Sequence, residues 1–154
     1  MHSIPRFSHS GRFRLGLLLG LVLLGTGACA HLAIWPGEKP PASEFGFGPR
    51  VSEHGLYTVA LEPAEALRAR RLQKISVLVR DAAGQAISGA TLSVDGGMPQ
   101  HGHGLPTQPR AIPASAHGTY AIEGLRFNMG GWWVLALTID GPLGADRVIF
   151  HLQI

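Results

Sequence analysis

Trp132-Trp133-Val134-Leu135-Ala136-Leu137-Thr138-Ile139 sets the large apolar side chains 133, 135, 137 and 139 against a second set at 132, 134, 136 and 138. A period of two over this length is the pattern of a β-strand, whose successive side chains point to opposite faces. Asp140-Gly141-Pro142 and Gly144 then interrupt the run with turn residues, and Val148, Phe150 and Leu152 alternate with Ile149, His151 and Gln153. Upstream, the same period recurs in Tyr57, Val59 and Leu61, in Ile75, Val77 and Val79, and in Ala90, Leu92 and Val94. Asp81-Ala82-Ala83-Gly84 and Asp95-Gly96-Gly97 separate these runs as turns.

Gly118-Thr119-Tyr120-Ala121-Ile122 opens a further strand with Tyr120 and Ile122 inward. Its alternation slips at Glu123-Gly124, after which Leu125 and Phe127 face inward; a glycine at such a slip reads as a β-bulge. Pro63 to Leu72 alone looks helical, with a first-turn proline and the helix formers Ala64, Glu65, Ala66 and Leu67. Short strands, turns and little helix predict an all-β fold, an immunoglobulin-like antiparallel β-sandwich of about six to eight strands over residues 55–154.

Residues 31–54 hold Pro36, Pro40, Pro41 and Pro49 among glycines and read as a linker, with Phe45 and Phe47 as candidates to dock onto the fold. Residues 1–30 read as a signal or anchor helix. Arg6, Arg12 and Arg14 precede an apolar run from Leu15 to Leu24 and the small residues Gly25 to Ala30. Gly27-Ala28-Cys29 resembles a lipobox with Cys29 as the lipidated residue, although Thr26 stands where such boxes usually carry Leu or Val. Cleavage after Ala30 is a second outcome. Retention is a third, since no charged residue occurs from Leu15 to Gly37, enough to cross a bilayer core of about 30 Å. Each outcome places the domain on the periplasmic side of a bacterial cell envelope, held at the membrane by a lipid or a helix, or released.

The chain of 154 residues has 13 Lys+Arg against 10 Asp+Glu, and the three N-terminal arginines account for the excess. The remainder is neutral, which excludes the basic surface that nucleic-acid binding needs. Cys29 is the single cysteine, so neither an intrachain disulfide nor a cysteine-based zinc site is available. Motifs for a serine elbow, a zinc protease helix or a phosphate loop are missing, and the acids are scattered singly, so no enzyme is expected. Arg68, Arg70 and Arg71 form a short basic face, read as solvated, with lipid-headgroup contact as the alternative.

The chemistry concentrates in Met98-Pro99-Gln100-His101-Gly102-His103-Gly104 and in Asn128-Met129-Gly130-Gly131-Trp132-Trp133. Thioether and neutral imidazole together are ligands for soft ions, Cu(I) above all. If His101 and His103 lie in extended chain, their rings point the same way. Met98 and Met129 equally suit gap-filling at a core edge, and the two imidazoles equally suit a solvated loop. Met129 joins Met98 at one end of the sandwich only if Pro99 to Arg110 itself crosses the fold as an irregular edge strand; otherwise a strand's length, over ~25 Å, separates them. Trp133 shares the core parity of Leu135, which leaves Trp132 exposed or covering the Met129 turn.

Gly97 to Thr107, with Gly118-Thr119-Tyr120 and Gly124 to Trp133, resembles the methionine/histidine motif of YtkA-like and FixH-like proteins. Asp81 to Ala90 is similar to a turn common in extracytoplasmic immunoglobulin-like domains, with Ala86 where proline often stands. The resemblance spans roughly Val59 to Ile154, most of the chain after its signal. It implies a membrane-tethered or exported β-sandwich that binds or delivers copper, in respiratory-oxidase assembly or copper homeostasis, beside a membrane-protein partner. It makes Met98, His101, His103 and Met129 the candidate ligands. FixH-like proteins usually keep a transmembrane anchor, whereas Cys29 points to a lipid one. The alternative is a metal-free interaction module of the cell envelope.

Overall fold

The computed structural model describes residues 37–154. Cys29 and the signal or anchor segment lie outside these residues; among the described ones, no helix is long and apolar enough to cross a membrane. Two antiparallel sheets face each other. The first holds β1 (Arg50–Val51), β2 (Thr58–Pro63), β3 (Ile75–Arg80), β7 (Thr119–Glu123) and β6 (Arg110–Pro113), in the order β1-β2-β3-β7-β6. The second holds β4 (Thr91–Met98), β5 (His103–Gly104), β8 (Trp132–Gly141) and β9 (Gly144–Gln153), in the order β5-β4-β8-β9. The fold is thus the all-β antiparallel sandwich that the alternation demands.

The inward set is the one read from the pattern. Val59, Leu61, Val77, Val79, Tyr120 and Ile122 from one sheet meet Leu92, Trp133, Leu135, Leu137, Ile139 and Phe150 from the other. β8 and β9 pair from Trp132↔Gln153 to Gly141↔Gly144, so the turn residues after Ile139 close a hairpin. The 42–54 stretch, expected as linker, joins the fold. Phe45 bridges to His151, the Phe47 carbonyl accepts the Leu61 N–H, and Arg50 and Val51 pair with β2. Trp132 is buried rather than exposed, and its indole N–H donates to Nδ1 of His151 at 3.1 Å. A ring nitrogen that accepts must be unprotonated. Burial accordingly lowers the His151 pKa and Arg50 lowers it further, against an opposing pull from Glu44.

Three local expectations give way. Asp95-Gly96-Gly97, read as a turn, runs on as the end of β4, paired with Ala136, Leu135 and Val134. Pro63 to Leu72 forms no helix: Pro63 ends β2, and the following loop is tied to β3 and to the 125–127 segment. Ala64 N–H donates to Lys74, Arg70 N–H to Phe127 and Gln73 N–H to Leu125, while the Gln73 amide donates to the carbonyls of Arg68 and Arg71. These bonds satisfy the backbone that a helix would have satisfied internally, so propensity does not decide the outcome. The slip at Glu123-Gly124 is the end of β7 rather than a bulge; Gly124 turns at φ 75° and Leu125 and Phe127 re-enter the core.

Candidate metal centre

The Met98–Gly104 stretch is the turn of a tight hairpin at the edge of the second sheet. Pro99–His101 forms one 3-10 turn, and Gly102 closes it at φ 63°, with its N–H donating to the carbonyls of Met98 and Pro99. His103 then pairs back with Met98, and Gly104 with Gly97. The two histidines are therefore not in continuous extended chain, as the alternation with glycine suggested; one sits on the turn and one on the returning strand.

Directly opposed residues of an antiparallel pair share a face. The Met98 side chain is inward and 1% exposed, so His103 lies on the same inner side, at the mouth of the sandwich. One step beyond the Gly97↔Val134 pair, Met98 comes level with Trp133. The His103 ring meets the Trp133 ring edge-on at 5.6 Å, and Trp133 in turn packs against Phe127 at 5.0 Å. The rings of His101 and His103 lie 6.0 Å apart. With a metal–nitrogen bond near 2.0 Å, an imidazole centroid stands about 3.2 Å from its ion, so two rings sharing one ion lie within about 6.4 Å. The pair fits that limit.

The His103 ring is also oriented. Its Nδ1 lies 3.0 Å from the Gly104 carbonyl oxygen. A carbonyl only accepts, so Nδ1 is the donor in this contact, and Nε2 is the nitrogen left to coordinate when the ring is neutral. A ring N–H held by a backbone carbonyl, with the other nitrogen left to coordinate, is the arrangement that metal-binding histidines commonly use.

Met129 comes to the same end. After Gly104 the chain leaves the second sheet and joins the first as β6, which pairs with β7. The chain then returns through residues 124–131 to β8, so the two methionines share an end; the crossing is made by β6, from Arg110 on, and not by Pro99 to Arg110 as an irregular edge strand. Met129 is partly buried against the core, and its carbonyl accepts the Trp133 indole N–H at 3.1 Å. Gly131 completes the corner: a Cβ there would stand 2.7 Å from Cε of Met98, and its φ of 130° disfavours side chains. Gly131→Ala is expected to destabilise the domain by about 1–3 kcal/mol through that backbone conformation. An unchanged melting temperature would show that the corner adapts.

The structure thus gathers Met98, His103 and Met129 around Trp133, with His101 on the exposed turn beside His103. Among the described residues, no group of three His, Cys, Asp or Glu side chains could hold a metal ion. The candidate donor groups on the residues at this end are imidazoles and thioethers. What the sequence did not reveal is the part played by Trp133, Gly131 and the Gly104 carbonyl. The core parity of Trp133 was legible, but its neighbours follow from the hairpin's tightness.

The family profile described as YtkA-like matches residues 52–138, more than half of the chain. The chain belongs to the YtkA-like family. No curated protein matches its sequence. Among solved structures, the ZirS C-terminal domain is similar over 94% of this chain and 100% of that one, with 12% identity and a TM-score of 0.38. Likeness of that degree bears on neither ligand nor partner.

Proposed function

We propose that this member of the YtkA-like family is a non-enzymatic, membrane-held domain of the cell envelope that binds Cu(I) at the mouth formed by His101, His103, Met98 and Met129, and passes it to a membrane-protein partner. The observation that carries the reading is the contact of His103 Nδ1 with the Gly104 carbonyl, which leaves Nε2 for an ion. That nitrogen belongs to a ring 6.0 Å from that of His101, on the same inner side as the opposed thioether Met98. Imidazole and thioether ligands add no charge when they coordinate, and together they suit a monovalent soft ion. The protein would supply position and a dry floor, since Met98 and Trp133 are buried. Delivery would use the exposed turn, where His101 is the ligand open to an approaching acceptor.

Equilibrium competition for Cu(I) against a chromophoric chelator tests the reading. The full chain should retain about one ion, and His101→Ala/His103→Ala should weaken retention on the order of a hundredfold or more, as loss of two ligands implies. Because His101 is exposed and His103 half-buried, the melting temperature of the metal-free variant should stay within about 2 °C of the parent. No retention by the parent, or equal retention by the variant, would favour the metal-free interaction module.

A further inference from the structure

The same end of the sandwich carries an unpaired basic surface. The β2–β3 loop presents Arg68, Arg70, Arg71 and Lys74 to solvent, and Arg126 joins them through the Leu72↔Arg126 bridge. Glu65 and Glu123 are the acids nearby. Among the described residues, none of these five cations enters an ion pair. At the crest, Leu72 is 69% exposed. The loop is held, not slack: Arg70 adopts φ 66° while its N–H bonds to Phe127, and Gln73 is buried with its amide on the loop carbonyls. That fixed backbone turns the arginines and Leu72 outward together.

We propose that this loop is a docking surface for anionic phospholipid headgroups, with Leu72 entering the interface between its flanking cations. Exposed cations around one exposed aliphatic side chain match the chemistry of such an interface, where charge draws the surface in and the apolar group is buried. The course of the chain favours lipid over an acidic polypeptide. Lys39, Pro40 and Phe45 pack beside Gln153, and Gln153 pairs with Trp132, so the fold is entered at the end where the loop lies. The 36 residues before Gly37, with the apolar run Leu15 to Leu24, join the described chain at this end. An anchor in that segment would join the domain on the side that carries the basic loop. The inference is separate from the copper reading and takes from the tether reading only that the chain sits at a membrane.

The test places an environment-sensitive fluorescent amino acid at position 72 of the full chain and leaves Cys29 unchanged. Vesicles of phosphatidylcholine alone are compared with vesicles holding about 30% phosphatidylglycerol, at about 0.02 M and about 0.5 M salt. Flotation of the full chain reports the tether, and the emission reports the loop. The expected result is a blue shift on anionic vesicles at low salt, reversed by high salt. Arg68→Gln/Arg70→Gln/Arg71→Gln should lower the immersed population on the order of a hundredfold. A chain that floats with both vesicle types while the probe stays in water overturns the loop proposal and leaves the tether standing. A chain that floats with neither overturns both. A shift with a polyglutamate peptide but not with anionic vesicles assigns the surface to an acidic polypeptide and overturns the lipid proposal.

Discussion

Asp146→Ala is expected to lower the stability of the domain by about 3 kcal/mol, because it removes the acceptor of several converging donors. Asp146 opens the inward run of β9, and its side chain is 0% exposed. Its carboxylate accepts the backbone N–H groups of His54 at 3.1 Å, Leu56 at 3.2 Å and Arg147 at 2.7 Å, and lies 3.0 Å from Nδ1 of the His54 ring. These bonds fasten the 52–57 turn, which leads into β2, onto the start of the opposite sheet. Burial pushes the Asp146 pKa up, but the hydrogen bonds from Ser52, Arg147 and His54 outweigh it and hold the carboxyl well below the usual range.

The sign follows from that depression. The folded state binds the Asp146 proton more weakly than the unfolded state, whose pKa is near 3.9. The stabilisation is therefore complete above that value and is lost as pH falls through the lower folded pKa. Thermal melts of parent and Asp146→Ala should differ by about 10 °C at neutral pH. The gap should narrow steadily below about pH 4. A difference under about 2 °C at neutral pH, or a gap that widens in acid, would sink the assignment of Asp146 as the pin between the sheets.

The long runs were legible because both their faces are decided by burial. Val77, Leu135 and Phe150 sit inward as their parity requires, and a one-residue slip would have exposed every one of them. β1, β5 and β6 were not legible, since strands of two to four residues carry too little alternation to read. The loop from Ala64 to Lys74 misled in a different way. Its residues favour helix locally, but Ala64 bonds across the loop to Lys74, and Arg70 and Gln73 bond to Phe127 and Leu125, partners that no local window contains. At the candidate site, residue types and spacing named the candidate ligands. Whether Met129 stood near Met98 depended on β6 crossing to the other sheet, which only the pairing with β7 settles. Trp132 was misplaced for a similar reason: its burial comes with a hydrogen bond to a histidine nineteen positions away.

Trp133 is where the fold and the candidate site share one side chain, and its replacement is expected to show both dependences at once. It is 0% exposed, packs on Phe127, touches the His103 ring and donates its N–H to the Met129 carbonyl. Trp133→Ala should cost about 3–5 kcal/mol through the cavity it leaves. Trp133→Phe separates the two roles. It keeps most of the apolar volume, but it leaves the Met129 carbonyl without the indole N–H and changes the surface that positions His103. Stability should fall by about 1–2 kcal/mol. Cu(I) affinity should fall about tenfold, as expected when a ligand's support is loosened while every donor remains. The His101→Ala/His103→Ala variant should behave in the opposite proportion, losing the ion and keeping the melting temperature. In a cycle of Trp133→Phe with His103→Ala, a site supported by this contact gives affinity losses that do not add, because the second change acts on a ring already gone. Additive losses would place Trp133 in the core alone and leave the histidines to be positioned by the hairpin turn.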